Sequence, residues 1–462
     1  MNTLTKICFT FVLAFSLLSG STMQVWAQTE TDKPDKVKLS SQAKQARDQC
    51  LKMLDEMGEI LKEGYYDPHY KGIDLKARIQ TAKDRVKTLE FNWQMYRVLA
   101  QVLLEFNDSH TFFIMPPRTD HFRYGIDMQM IGADCLVTYV SKDSDAFTKG
   151  LEPGDQILKI SRYTPTRPDL WKINYVLYLL DPSKTMELQI RKPDGTEKAI
   201  VITAKTQTDK EFRAEIKARK DKQDKDEPFK CKEAGKDVIA CKLFSFSVEK
   251  SVIEKMMKEA TKYPKFILDL RGNGGGSVEV EQLLLSYFFD HQVTIADLVL
   301  REKKETRVTK VLDANKQYKG EVAVLVDSDS ASASEITARV LQLEKRAKIY
   351  GDNSSGSVMT SVRVPFRSLM GALADYAIIS VFMSVTVADV IMKDGSRLEN
   401  TGVTPETILL PTPLAYKQRM DPVLSYAALQ MGEKLDPTDA GKFEFLFKVD
   451  DLKPDSSAST DK

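Results

Sequence analysis

Along the chain the apolar positions change period several times, and the changes mark its organisation. Leu51, Leu54, Met57, Ile60 and Leu61 recur at helical spacing, and Trp93, Tyr96, Leu99, Val102 and Leu103 repeat the pattern. Together they predict a helical N-terminal region that follows a polar stretch from Gln28 to about Ser41. The polar turn Phe106-Asn107-Asp108-Ser109-His110-Thr111 ends it and leads into a strand-like run, Phe112 to Met115. Between Tyr124 and about Lys205 the pattern shortens to strands split by turns: Cys135 to Val140, Gln156 to Ser161, Met186 to Arg191 and, after the Pro193-Asp194-Gly195 turn, Ala199 to Thr203. Lys210 to Lys236 is rich in Lys, Asp and Glu and reads as a solvated linker or an exposed helix.

Beyond it strands and helices alternate. Strands are expected at Val238 to Phe244, Phe266 to Leu270, Val322 to Val326, near Ile349 and at Ile378 to Val387. Helices are expected at Val248 to Thr261, Val278 to Phe289 and Ser334 to Ala347. Such alternation argues for an α/β layer. The tail past Leu452 is Ser, Asp and Lys and lacks the apolar content to fold.

Length and composition narrow the function classes. The chain has 462 residues, 42% hydrophobic and 29% charged, enough for two or three globular domains. A formal net charge of +1, with no basic run interleaved with aromatics, argues against nucleic acid as a partner. The first residues set the compartment: Lys6, the apolar run Ile7 to Leu18, and small residues around Val25-Trp26-Ala27 form a signal-peptide pattern with cleavage expected after Ala27. A retained anchor needs about 20 apolar residues, and Ser16, Ser19, Ser21 and Thr22 interrupt the run too early, so no stable membrane span is expected after cleavage. Loss of Cys8 with that signal leaves Cys50, Cys135, Cys231 and Cys241, an even number in a disulfide-permissive compartment. Cys231 and Cys241 are spaced to bridge a hairpin, but four cysteines allow three pairings and free thiols stay open.

Two segments carry chemistry. Asp327 to Glu335, DSDSASASE, lies between an apolar strand and an amphipathic helix, so Ser332 falls at a helix N-terminus. There backbone N–H groups and the helix dipole stabilise an oxyanion formed by attack of Ser Oγ on a carbonyl. Ser332 and Glu335 also satisfy the Ser-x-x-Glu capping box, a common helix start with no catalytic meaning. The second segment, Asp269-Leu270-Arg271-Gly272-Asn273-Gly274-Gly275-Gly276, is a glycine loop leaving a buried strand, where amides approach a substrate without a Cβ in the way. It lacks the Lys-Ser/Thr ending of a phosphate-binding loop. With no His-Glu-x-x-His and no Cys-His cluster, neither a metal nor another cofactor is expected.

Taken together these segments resemble the C-terminal processing (tail-specific) serine peptidases. The resemblance implies an α/β (α+β) core of the ClpP/crotonase-like type. It implies Ser332 as nucleophile and an oxyanion hole from the amides of Ala333 and Gly275. Tyr124-Gly125-Ile126 and Leu151-Glu152-Pro153-Gly154-Asp155-Gln156-Ile157-Leu158 resemble a PDZ domain, in which a peptide tail adds to a sheet edge and backbone amides hold its carboxylate. Tyr124, Gly125 and Ile126 are its implied peptide-binding residues. The family's lysine base is missing, since Ser357 follows Gly356, and neither Lys348 nor Lys393 stands at the motif position. The tricorn core protease branch uses a histidine, a second serine and a glutamate instead, and His110, Ser109 and Glu399 match them. A neutral imidazole suits the base role, whereas His69, His121 and His291 read as surface or packing residues.

The expected organisation is a signal peptide (1–27), an N-terminal helical region (28–117), PDZ (118–206), a charged linker (207–236), the catalytic domain (237–412) and a C-terminal extension (413–462). The expected protein is a secreted, bacterial periplasmic serine endopeptidase acting on proteins or peptides with exposed C-termini, with a homo-oligomer left open. The competing expectations are a peptide-binding protein that has lost its base, or a scaffold whose PDZ domain recruits other proteins.

Overall fold

The structure, a computed structural model, describes residues 41–115, 119–223, 228–367 and 381–446. The expected signal peptide and the tail past Leu452 lie outside the described residues.

Three helices open the chain: α1 (Ser41–Gly64), α2 (Leu75–Lys87) and α3 (Asn92–Leu104). Met53, Leu54, Met57 and Leu61 of α1 bury against Met95, Leu99 and Leu103 of α3, the apolar stripes seen in the sequence. Helix α2 was not expected. It buries only Leu75, Ile79, Ala82 and Val86 among charged neighbours, and Asp74 caps it by accepting the Ala77 N–H at 3.0 Å. Strand β1 (Phe112–Ile114) then leaves the helices and pairs far along the chain.

Next, β2 (Asp120–Arg123) precedes the strands β3 (Ile126–Ile131) and β4 (Asp134–Val140), the short helix α4 (Asp145–Thr148) and β5 (Gln156–Ile160). Helix α5 (Leu170–Asn174) continues as a wider helical turn over Tyr175–Leu180, before β6 (Thr185–Arg191) and β7 (Glu197–Thr203). Strands β3 to β7 form one antiparallel sheet in sequence order, with β3 at its edge. Strand β8 (Lys205–Thr208) returns to pair with β2, and the charged stretch continues as helix α6 (Asp209–Gln223).

The large sheet begins inside the stretch expected to be linker. Strand β9 (Phe229–Glu233) pairs antiparallel with β10 (Val238–Leu243), and a Cys231–Cys241 disulfide joins directly opposed residues of the two. Six further elements follow: α7 (Lys250–Ala260), β11 (Lys265–Asp269), α8 (Val278–Ser286), the hairpin β12 (Thr294–Leu300) and β13 (Lys304–Val308), and β14 (Glu321–Val326). After them come α9 (Ala333–Leu343), β15 (Lys348–Gly351), β16 (Met359–Pro365), β17 (Phe382–Ile391) and β18 (Thr407–Ile408). The sheet order is β18-β15-β14-β11-β10-β9, parallel except at β9. Both its faces are buried, as a parallel sheet requires. Leu268, Val324 and Ile349 face Met256, Leu284 and Val340 of helices α7 to α9, while Ile267, Ala323 and Leu325 face Val423, Leu424 and Ala427.

Those last three residues belong to α11 (Pro422–Gln430), flanked by α10 (Pro413–Lys417) and α12 (Pro437–Gly441). Residues 413–446 are therefore a packed layer of this fold. A second sheet, β1-β17-β12-β13 with β16 on β17, lies over the helices. Its strand β17 packs Met383 and Val385 into the core of the N-terminal helices. The architecture is thus a mixed α/β fold in which α10 to α12 cover one face of the central sheet and the N-terminal helices pack on the second sheet.

Candidate active site

Strand β14 ends at Val326 and the chain turns sharply through Asp327–Ala331 into α9. Asp327 shapes the turn, because its Oδ1 accepts the N–H groups of Gly272 at 2.8 Å and Asp329 at 3.1 Å. Ser330 Oγ donates to the Leu270 carbonyl at 2.9 Å. The next residue but one is Ser332, with φ 56° and ψ −117°, a conformation that a side chain disfavours and that costs about 1–3 kcal/mol. Its half-buried side chain stands at the N-terminus of α9.

The glycine loop lies against it. Gly275 has φ +89°, and a Cβ there would come within 2.7 Å of Ser332 Cβ and 3.0 Å of the Ala333 nitrogen. The glycine loop therefore packs directly against Ser332 and Ala333, but the amides of Ala333 and Gly275 differ in availability. Ala333 opens the helix, so its N–H has no partner within α9, whereas Gly275 N–H donates to Asn273 Oδ1 at 2.9 Å. Beneath the loop Arg271 is fully enclosed between Asp269 and Asp421, with bonds of 2.6 Å to each. Lys242 adds a contact to the Arg271 carbonyl. Burial disfavours the Asp269 carboxylate, yet the cations of Arg271 and Lys242 overcome it and hold its pKa below the usual range.

Glu399 comes from the turn after β17 and reaches Ser109 in the turn before β1. Its Oε1 accepts the Ser109 N–H at 2.7 Å and its Oε2 the Ser109 hydroxyl at 2.8 Å. Ser109 Oγ in turn meets His110 Nδ1 at 2.7 Å. An ionised carboxylate can only accept, so the Ser109 proton points to Glu399 and the Ser109 oxygen accepts from Nδ1–H. That assigns the lone pair to Nε2. Burial lowers the His110 pKa, the Asp108 charge partly opposing it, and burial raises that of Glu399. The lowered pKa favours the neutral imidazole.

One loop joins the two halves. Ser357 gives its carbonyl to the Ser332 N–H at 3.0 Å, and the next residue, Val358, gives its N–H to Glu399 Oε2 at 2.8 Å. Glu335 holds this loop from below: fully buried, it accepts the N–H groups of Ser332, Gly356 and Ser357 at 3.0, 2.7 and 2.9 Å and the Ser354 hydroxyl at 2.6 Å. Burial pushes its pKa up to about 7 despite these donors. Within the described residues no hydrogen bond links Ser332 to His110.

Residues 238–409 match Peptidase family S41. The S41 region begins at the first parallel strand and contains Gly275, Ser332 and Glu399, while Ser109 and His110 lie upstream of it. Over 374 residues the chain is 24% identical to a probable CtpA-like serine protease of Staphylococcus haemolyticus, covering 80% of this chain and 66% of that protein. It is 28% identical over 268 residues to a tail-specific protease of Haemophilus influenzae, covering 54% of this chain and 36% of that one. The chain thus spans from about a third to just under two thirds of these curated relatives. Among solved structures, mature CPAF complexed with lactacystin superposes with a TM-score of 0.60 at 14% identity, over 87% of this chain and 99% of that one. That likeness concerns the fold.

The remaining predicted residues sit elsewhere. Lys393 pairs with Glu344 at 2.7 Å, at the far end of α9 from Ser332. Lys348 is exposed. His69 and His291 are exposed, and His121 stacks on Phe212 with ring centroids 3.8 Å apart. Tyr124 is buried, donating its hydroxyl to the Ser183 carbonyl at 2.7 Å. Gly125, at φ +73°, directs its carbonyl to the Ser141 N–H, and Ile126 starts edge strand β3. Cys50 and Cys135 are free thiols pushed up to about 12 by burial. No described helix is long and apolar enough to cross a membrane, and no cluster of three or more His, Cys, Asp or Glu among the described residues could hold a metal.

Sequence reasoning treated Glu335 only as a helix cap and passed over Asp108. The signal for Asp108 was present, since an Asp commonly bonds the backbone two residues on, and His110 stands at that position.

Proposed function

We propose that this chain is a serine endopeptidase. The observation that carries the reading is the hydrogen-bonded series Glu399–Ser109–His110, which leaves Nε2 as a base and which the Ser357–Val358 loop ties to the strained serine of an S41 region. Ser332 Oγ attacks the scissile carbonyl as His110 Nε2 takes its proton, and Ala333 N–H receives the oxyanion. His110 then returns the proton to the leaving amine, the C–N bond breaks, and water hydrolyses the acyl-enzyme by the same route. The glycine loop's contribution to the oxyanion hole falls to an amide other than Gly275 or requires Asn273 to release it.

Residues 118–206 act as a PDZ domain on a core of the crotonase-like type. Strand β3, at a sheet edge directly after Tyr124-Gly125-Ile126, is suited to receive a C-terminal tail by strand addition. The far end of that edge is already engaged, because Ser328 Oγ donates to the Met130 carbonyl at 2.5 Å, and the Gln129 side-chain amide donates to the Asp327 carboxylate beside it at 2.8 Å. A tail would therefore pair with Ile126–Met128. The signal-peptide pattern and the Cys231–Cys241 bridge support a secreted, periplasmic location.

A second reading, a binding protein that holds peptides without cleaving them, is favoured by the lack of a Ser332–His110 hydrogen bond. Such bonds commonly tighten only on substrate binding. Reaction with a fluorophosphonate, read by intact mass, separates the two. Labelling of wild type that is lost in Ser332→Ala and His110→Ala supports the hydrolase, and a folded wild type that stays unlabelled when substrate peptide or a candidate activator is added supports the binder.

A further inference from the structure

The three residues Ser109, His110 and Thr111 present successive N–H groups, and each is taken by a buried or half-buried carboxylate. Glu399 takes the first. Asp108 takes the other two on Oδ1, from His110 at 3.1 Å and Thr111 at 2.6 Å. Asp108 is only 2% exposed, and its remaining capacity is also used: Thr386 Oγ1 of β17 donates to Oδ1 at 2.8 Å, and Tyr65 at the end of α1 donates its hydroxyl to Oδ2 at 2.8 Å. Thr111 closes the ring, its hydroxyl donating to Thr386 Oγ1 at 3.0 Å and accepting the Thr386 N–H at 3.1 Å. Tyr65 is itself buried against Phe106, with ring centroids 4.8 Å apart.

A fully bonded buried carboxylate rigidifies whatever donates to it, and losing one such charged acceptor strands several donors at once. Here the stranded donors would be the backbone of the histidine and the residue after it. We propose that Asp108, held by Tyr65 and Thr386, is the positioning residue for His110, and that through Tyr65 the N-terminal helices become part of the catalytic apparatus. This rests on the reading of His110 as base. The orientation matters because Nδ1 must stay on Ser109 for Nε2 to face Ser332, and a rotation about the turn loses both. Asp108 also holds the His110 backbone N–H and is the charge that opposes the effect of burial on the imidazole, so it steadies the imidazolium that forms during the reaction.

The test uses the full mature chain, a fluorophosphonate as probe, and selectively isotope-labelled histidine to follow His110 by NMR. Asp108→Asn is expected to slow labelling of Ser332 by about 10- to 100-fold, less than the roughly 10²- to 10⁴-fold that loss of the general base itself costs. It is also expected to move the acid limb of the rate profile and the His110 titration midpoint to lower pH, since a negative charge beside the imidazolium is lost. Tyr65→Phe is expected to slow labelling by a smaller factor, about 3- to 10-fold, without moving the midpoint as far. A folded Asp108→Asn that labels at the wild-type rate with an unmoved acid limb overturns the proposal and leaves the base reading intact. If that variant does not fold, Tyr65→Phe and Thr386→Val decide, and wild-type rates in both overturn it. Labelling that survives His110→Ala removes the base reading and this proposal together.

Discussion

Glu399 accepts both the N–H and the hydroxyl of Ser109, at 2.7 and 2.8 Å, although 290 residues separate them. The same carboxylate also takes the Val358 N–H, one residue beyond the Ser357 carbonyl that receives Ser332. It therefore both polarises the proposed relay and fixes its distance from the nucleophile.

Replacing that carboxylate by an amide puts an NH₂ where a charge-assisted acceptor stood. Glu399→Gln is expected to lower kcat by about 10²- to 10⁴-fold, with KM changed little, because the group acts on the imidazolium and not on the substrate. Steady-state hydrolysis of a quenched peptide checks this, and a KM effect alone would assign Glu399 to substrate binding.

Glu335 titrates near neutrality, and the sign follows from burial. Its folded pKa of about 7 exceeds the ordinary 4.5, so between those values the folded state holds more protons than the unfolded one and stability falls as pH rises. Relative to Glu335→Gln, wild type should therefore lose up to about 3 kcal/mol from pH 4.5 to 7. Urea unfolding at several pH values measures it, and a gap independent of pH would show Glu335 ionised throughout.

Gly275→Ala should disable the site with the fold retained. The added methyl would press on Ser332 Cβ at 2.7 Å and on the Ala331 carbonyl at 2.8 Å, at a φ of +89° that alanine resists. Fluorophosphonate labelling should fall by about 10²-fold or more, while the melting temperature drops by only a few degrees.

Lys393→Ala should leave hydrolysis unchanged, since the ammonium is exposed and bound to Glu344 at the opposite end of α9. Loss of activity in this variant alone would instead favour a lysine base.

Reducing the Cys231–Cys241 bridge frees edge strand β9. With the cysteines 10 positions apart in sequence the bridge is expected to contribute about 2–3 kcal/mol by restricting the unfolded chain. Denaturant titration with and without reductant reads it directly.

Much of this was legible before the structure because the strongest periodicities belong to buried elements. Val322 to Val326 and Phe266 to Leu270 are central parallel strands, covered on both faces, so they are continuously apolar. Strand β13 alternates among Lys304, Glu305 and Arg307 at a sheet edge and shows no such run. Strand β9 was lost in the charged stretch because only Phe229 along it is fully buried. Helix α2 buries every third or fourth residue among lysines and arginines, which hides a short stripe. The candidate residues Ser332, His110, Ser109 and Glu399 stood out as residue types because their order along the chain is distinctive, and the last three share one hydrogen-bonded series. What spacing cannot encode is which oxygen accepts which proton, and so Asp108 and Glu335 emerged only from the contacts.

Strand β1 pairs with β17 across the length of the chain, and the groups proposed for proton transfer are divided in the same way, at 109–110 and at 332–399. A polypeptide made and threaded from its N-terminus thus carries the histidine early but has nothing for it to serve until Glu399 has emerged and folded back. On the proposed reading, proteolytic activity is therefore tied to completed folding, because neither half of the chain holds the whole relay.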